Sequence, residues 1–449
     1  MEKGNKKIIK GWVFYDWANS VYNLVISSAI FPIFYDNVTT SYFLDNYNKV
    51  NGTTFTSVPE GVQVTVDFFG FQMSSSVLIS YVLSASFLLV SILSPMLSGV
   101  ADFSGNKKRF MQFFCYLGAL ACISLYWFSP AQLELGMLSV FLASIGFWNS
   151  LVFYNAYLPE IAEPKDHDRI SARGFSMGYF GSMILLVLCL LMIMFIDKSY
   201  TSLSFILVGV WWIGFSQITY RVLPNNVYKK KKESGVIWKG FKELRKVFKE
   251  FKKIKQLRRY LYAFFFFNTG VQTVMLMAVI FAKKEISWPE GADDTGLIIA
   301  ILLIQILGAA GALLMSRVSE KIGNINTLSI SVFIWIFVCI AAYIVQSPTQ
   351  FYILASFVGL VMGGVQALAR STYSKLLPET EDHASYFSFY DVTEKIGIVV
   401  GTFTFGFLEA TLGSIRYSVI SIAAFFIIGL ILLFLVPKNK PSIELNSAP

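Results

Sequence analysis

The chain reads as an all-α integral membrane protein of twelve transmembrane helices in two pseudo-symmetric six-helix bundles, and three observations carry that reading. Of 449 residues, 55% are hydrophobic, 16% aromatic and only 14% charged, too little charge to dress a soluble surface of this size. Apolar runs long enough for a bilayer core of about 30 Å recur along the whole length. Landmarks of the first half also return in the second at a near-constant offset.

The expected spans are 12–35, 74–100, 109–128, 135–157, 174–196, 203–223, 260–282, 296–316, 327–346, 350–374, 386–408 and 416–436. The first follows MEKGNKKIIKG with no small-residue cleavage site, so it reads as a span and not a signal peptide. A longer loop, 36–73, separates it from the second. Cys115, Cys122, Cys189 and Cys339 all fall in apolar segments and read as small core residues, not disulfides or metal ligands. The organisation expected is a bundle over 1–223, a linker over 224–259, a second bundle over 260–437 and a tail over 438–449.

The linker holds fourteen Lys or Arg against three Glu, a surplus of eleven that exceeds the chain's net +9 and leaves the rest at −2. Ile237, Phe241, Leu244, Phe248, Phe251 and Ile254 recur in it at helical spacing among lysines. That pattern predicts a basic amphipathic helix lying on an anionic leaflet, in preference to a nucleic-acid patch. Lys and Arg collect at the N-terminus, the second loop, the linker, the eighth loop and the tail, whereas the loops 129–134 and 346–350 carry none. Both termini are therefore expected in the cytoplasm.

LSGVADFSGNKKR after the second span returns as MSRVSEKIGNIN after the eighth, so Asp102 maps to Glu320 and Gly105 to Gly323, each 218 residues on. YLPEI maps to LLPET, Pro159 to Pro378, at an offset of 219. An acid, then Gly three residues later, then a base such as Lys107 suits a tight turn where charge pairing latches neighbouring helices. Six plus six helices with this loop in both halves resemble the major facilitator superfamily. Ser98 and Asn106 depart from its pattern in the first copy, and the second copy lacks cations after Gly323.

YDWANSVY, VFYNAYLPEIA, RGFSMGYFGS, GVWWIGF, TGVQTV, GLVMGGVQALARSTYSKLLPE and FSFYDVTEKIG, in that order along nearly the whole chain, are similar to the autophagy-related vacuolar amino-acid effluxers and their bacterial permease relatives. Thr269 stands where that branch often has Asp, so no carboxylate role transfers to it. The resemblance implies two halves rocking around a midplane site. It also implies export of a small organic solute, amino acids first, from a cell or compartment. The membrane would be a bacterial inner membrane, or a vacuolar one in a eukaryote.

Apart from Arg109, Arg221 and Arg416, which lie at span ends and can snorkel, five charges lie inside spans: Asp16, Arg370, Asp391, Glu394 and Lys395. Such charges face water or one another. Asp16, Asn19 and Asn23 share a face of the first span, a polar stripe suited to a cavity, although Asp16 as a structural clamp is the competing reading. Asn149, Tyr154, Asn155, Asn268, Gln272, Gln305 and Gln366 sit on helices that line the cavity of the resembled fold. Arg370 holds its proton and needs a partner, with Glu394 or Asp391 the nearest by depth and Lys395 sharing one of them. Asp16, with no cation on its own helix, is the expected proton carrier.

GFSMG at 174–178 matches G-x-S-x-G, but the motif needs a strand–turn–helix context and a His partner, and the only histidines, His167 and His383, lie in loops. The expectation is therefore no enzyme, cofactor, metal or nucleic acid. It is a monomeric alternating-access symporter or antiporter of a small zwitterionic or neutral solute, with an uncoupled channel, facilitator or lipid scramblase as the alternative.

Overall fold

The computed structural model describes residues 3–59, 61–225, 227–228, 236–289, 293–412 and 414–437. Met1, Pro449, the tail 438–449, the lysines at 229–232 and Glu290 lie outside the described residues, as do the side chains of Ile237, Asp293 and Asp294.

Asn5 accepts from the Lys7 and Ile8 amides to start α1 (Lys6–Val21). The helix continues without a break through a π-helical stretch, Tyr22–Ala29, into α2 (Ile30–Asn51), which Gly52 ends in the left-handed conformation. The first outer segment is thus helical well past its expected boundary at Tyr35. It finishes in a hairpin of β1 (Thr65–Phe68) and β2 (Phe71–Ser74), paired antiparallel with Val66 opposite Met73. Helices α3 (Ser75–Ser104), α4 (Lys107–Ser124), α5 (Leu133–Asn155), the short α6 (Leu158–Ile161), α7 (His167–Phe195) and α8 (Leu203–Val222) complete the first half. The linker contributes α9 (Val236–Lys253). The second half holds α10 (Lys255–Glu285), α11 (Asp293–Ile322), α12 (Asn324–Ile344), α13 (Pro348–Leu376), α14 (His383–Leu412) and α15 (Ile415–Phe434).

Among the described residues, eleven helical stretches are long and apolar enough to cross a membrane. The remaining stretch, α14, eleventh in chain order, has 30 residues but carries Asp391, Glu394 and Lys395 in its first half. The repeat is visible in backbone geometry, since Gly105 and Gly323, each just after its helix, have φ of +69° and +83°. Only glycine takes such angles without strain.

Helices α1, α3, α4, α5, α7 and α8 pack among themselves, as do α10 to α15. The tightest seams depend on missing side chains: a Cβ on Gly146 would overlap Gly118 between α5 and α4, and one on Gly363 would overlap the Gly308 carbonyl between α13 and α11. In lipid, where apolar surface gives no net drive to associate, close backbone approach of this kind is the main adhesive. The halves meet where α3 packs on α14 and α7 on α11 and α13.

The linker helix departs from expectation. Its apolar face lies on protein, not lipid: α9 packs on α3 and α14. Gly240 lies against Gly99, Val247 is fully buried, and Phe248 and Phe251 meet the Phe389 ring at 5.8 and 5.5 Å. Protein covers that face because α3 and α14 present a continuous small and aromatic surface beneath it.

Candidate functional site

A cavity of about 210 Å³, as seen by the centres of water-sized molecules, lies between the halves. Its floor is Asp16 and Arg370, and its walls rise past Asn23, Ser28, Val279 and Ile301 toward the hairpin end of the bundle. Asp16, Asn19, Asn155, Asn268, Gln272, Gln305, Gln366, Arg370 and Glu394 all border it.

Four expected residues do not. Asn149 is fully buried and donates to the Ile145 carbonyl of its own helix at 3.0 Å. Tyr154 is packed between Trp12 and Tyr15 and reaches the cavity only through its hydroxyl, which donates to Asp16 Oδ2 at 2.8 Å. Asp391 and Lys395 sit behind Glu394 on the side of α14 turned to α3 and α5.

The pairing expected between Arg370 and Glu394 does not occur. Arg370 reaches from α13 into the other half. Its Nη2 donates to Asp16 Oδ2 at 3.1 Å and to the Ser171 carbonyl at 3.0 Å, and its Nε to Ser171 Oγ at 2.9 Å. Nη1 donates to Asn155 Oδ1 at 3.4 Å and Asp16 Oδ1 at 3.5 Å. Those five bonds use every N–H of a guanidinium. The Phe175 and Trp12 rings flank it at 4.2 and 4.8 Å, adding cation–π attraction in a site shielded from water. Asp16, which has no cation on its own helix, is therefore paired from another helix. A Cβ on Gly174 would overlap Asp16 Oδ2 and stand 2.9 Å from Arg370 Nη2, so the missing side chain of α7 makes the room.

Glu394 instead takes Gln272 Nε2 at 2.9 Å on Oε1 and Lys395 Nζ at 3.1 Å on Oε2. Lys395 also holds Asp391 Oδ1 at 3.1 Å.

The end of the bundle nearest the linker is closed by two networks. In one, Asp102 accepts from the Ala384 and Ser385 amides at 3.2 and 2.7 Å, placing an anion on the N-terminus of α14. Lys107 bonds Glu160 and lies 3.5 Å from Asp102. His383 Nδ1 is 3.2 Å from Glu160 Oε1 and 3.3 Å from the Tyr228 hydroxyl. The other network is its counterpart with the acid moved. Asp168 of α7 accepts from Ser319 Oγ at 3.0 Å and Asn324 Nδ2 at 2.6 Å, and bonds Lys375. Glu320, expected as the second gating acid, is exposed and outside this network. The repeat offset found the loop but could not show that Asp168 on the facing helix had taken over the charge.

Sequence reasoning also missed the π-helical stretch, which widens the turn carrying Asn23 and Ser28 into the cavity. Such segments concentrate at functional sites and leave no periodicity signal. Tyr179 and Tyr390, also on the wall, looked like ordinary span aromatics. Within His167–Phe195, GFSMG is continuous helix, so it is no nucleophile elbow. The four cysteines are buried and unpaired.

The profile of the family described as "Vacuole effluxer Atg22 like" matches residues 4–446. An MFS-type transporter, YxiO, of Bacillus subtilis (strain 168) is 28% identical over 98% of this chain and 97% of its own. Autophagy-related protein 22-1 of Penicillium rubens is 22% identical over 97% of this chain and 90% of its own. Among solved structures, the major facilitator transporter FucP in its outward conformation superposes with a TM-score of 0.65 at 12% identity, covering 97% of this chain and 99% of that one. A bacterial ferroportin homologue in its outward-facing state gives 0.62 at 12% identity, over 96% and 98%.

Proposed function

The chain belongs to the Atg22-like vacuole effluxer family, a multi-pass membrane transporter with the major facilitator fold, and from that premise we propose that it moves a small zwitterionic or neutral organic solute, amino acids first, out of a cell or compartment by alternating access. The two bundles, 1–223 and 260–437, are the moving bodies, and both termini face the cytoplasm. The membrane is a bacterial inner membrane, in keeping with the Bacillus relative.

The observation that carries this reading is the closed floor. The cavity runs to Asp16 and Arg370 and stops there, with the Asp102–Glu160 and Asp168–Lys375 networks beneath. Every contact in those networks that bridges the halves lies at the linker end of its helix, which is where rocking must break them. The described state is thus the one open away from the cytoplasm. Its lining mixes amide and aromatic side chains with one carboxylate, Glu394, that no cation from another helix balances among the described residues. That chemistry suits a small solute with an amine or hydroxyl groups over a polyanion. A channel or scramblase would instead present a continuous path.

The test is flux in proteoliposomes with a panel of labelled amino acids, sugars and dipeptides. Saturable uptake and counterflow of amino acids supports the reading. Nonsaturating flux, or movement of labelled lipid alone, overturns it.

A further inference from the structure

The buried charges of the spans do not cancel. Asp16 and Arg370 neutralise each other, whereas α14 contributes Asp391, Glu394 and Lys395, two acids and one base. Lys395 is fully buried, and its Nζ lies 3.1 Å from each carboxylate and 3.4 Å from the centre of the Trp148 ring on α5. An ammonium has three donors, and these three neighbours occupy them. One negative charge is left over on a cluster that is buried at Asp391 and Lys395 and meets the cavity only through Glu394.

Two further observations point to what cancels it. Asp391 Oδ2 is buried and lies outside the Lys395 pairing, which is made through Oδ1. Ser94 of α3, on the other half of the molecule, faces Asp391 with a buried hydroxyl within reach of its carboxyl group. A metal ion fits poorly, because Lys395 Nζ already stands at the point where the two carboxylates converge. A proton needs a single oxygen. Converting Asp391 or Glu394 to a carboxylic acid would bring the cluster to neutrality and supply an O–H donor. Glu394 opens onto the cavity while Asp391 and Lys395 lie behind it, so the cavity is the route in.

We propose that Asp391, Glu394 and Lys395 form a site that binds one proton, shared between the two carboxylates and loaded from the cavity through Glu394. Resting on the transport reading, it is the coupling site, in place of Asp16. The cluster lies on the seam between α14 and the helices α3 and α5, so its charge bears directly on whether that seam holds. Other groups near it do not supply the missing charge. Tyr390 on α14 and Tyr260 on α10 are neutral, Asn268 and Gln272 are amides, and Arg370 of α13 is already committed to Asp16. On α15 the only titratable side chains are Arg416 and Tyr417, in its first turn.

The test reads protons without any solute. Purified full-length protein in unbuffered detergent solution, with a pH dye, is stepped upward in pH. The wild type is expected to release one proton more per chain than the Asp391→Asn/Glu394→Gln/Lys395→Met triple variant, which leaves no titratable group in the cluster, and Asp16→Asn is expected to release as many as the wild type. Lys395→Met removes the only base and should release one more than the wild type, a gain that misfolding of that variant would not give at a folded-protein elution volume. Equal release from wild type and triple variant overturns the proposal, as does loss of the proton in Asp16→Asn. Because no solute is present, failure of amino-acid flux would strike the transport reading and not this site.

Discussion

The two groups of membrane-buried charge at the cavity are built on opposite plans. Asp16 and Arg370 are 354 residues apart and join α1 to α13 across the halves. Every guanidinium N–H is used, Tyr154 completes the carboxylate, and the charges cancel. Asp391, Glu394 and Lys395 fall within five residues of one helix, leave one carboxylate oxygen outside the Lys395 pairing, and sum to −1. A closed, neutral group resists change and acts as a strut. An open, charged one responds to its surroundings and can act as a sensor. The position nearer the floor is therefore the more rigid, contrary to what Asp16 alone suggests.

The sharpest way to break the comparison is to remove the strut's cation. Arg370→Ala leaves the Asp16 carboxylate buried against Tyr154 with no cation, a loss of about 3–5 kcal/mol for a broken buried pair. Thermal unfolding in detergent should show it, and Asp16→Ala/Arg370→Ala should recover part of the loss. If Arg370→Ala unfolds with the wild type, the pair is no strut.

Next in size is a wedge. Gly174→Val places a side chain where Asp16 Oδ2 lies, and should cost about 1–3 kcal/mol through overpacking and displacement of the pair. The same measurement on Gly214→Val, where a Cβ meets nothing within 4 Å, should register little beyond helix propensity. Equal losses at the two glycines would mean that the close fit around Asp16 is not what matters.

The aromatic partners of the two cations differ as well. Lys395 has one ring, Trp148 at 3.4 Å, whereas Arg370 has three neighbouring rings. Trp148→Leu should therefore destabilise by about 2 kcal/mol, the scale of a desolvated cation–π contact, while Phe175→Leu should cost visibly less. Reversal of that order would show that Lys395 depends on its carboxylates alone.

These contrasts also explain what could be read from sequence. Spacing of three and four along a helix exposes local pairs, so Lys395 is legible as a partner of Asp391, whereas its contact with the adjacent Glu394 is not. Depth along antiparallel spans put Arg370, Glu394 and Asp16 at similar levels, but depth carries no azimuth. It could not say that Arg370 turns to α1 and α7 while Glu394 turns to α10. The span pattern and repeat were plain because lipid enforces long apolar runs and duplication preserves offsets. The linker helix was legible as amphipathic, but an apolar face does not announce whether protein or lipid will cover it.

That covered face gives the smallest and most selective effect. Phe251 touches α14 through the Phe389 ring, 5.5 Å away, whereas Gly240 keeps α9 seated on α3 at Gly99. Phe251→Ala therefore loosens α9 from one half and leaves it attached to the other. Losing an aromatic pair costs about 0.5–1.5 kcal/mol beyond area. If α9 straps α3 to α14, that loss comes out of the state closed at the linker end and raises the open fraction by roughly 2- to 10-fold, since 1.4 kcal/mol is tenfold. Ser385→Cys reports it, because Ser385 is buried on the α3–α14 seam beside Asp102 and the four native cysteines are buried. Maleimide labelling of Cys at 385 should speed up by that factor in Phe251→Ala. It should not change in Phe55→Ala, an exposed ring at the opposite end. Labelling that stays constant while the protein is measurably destabilised would make α9 a passive cover, and would leave the Asp102 contacts to hold the seam alone.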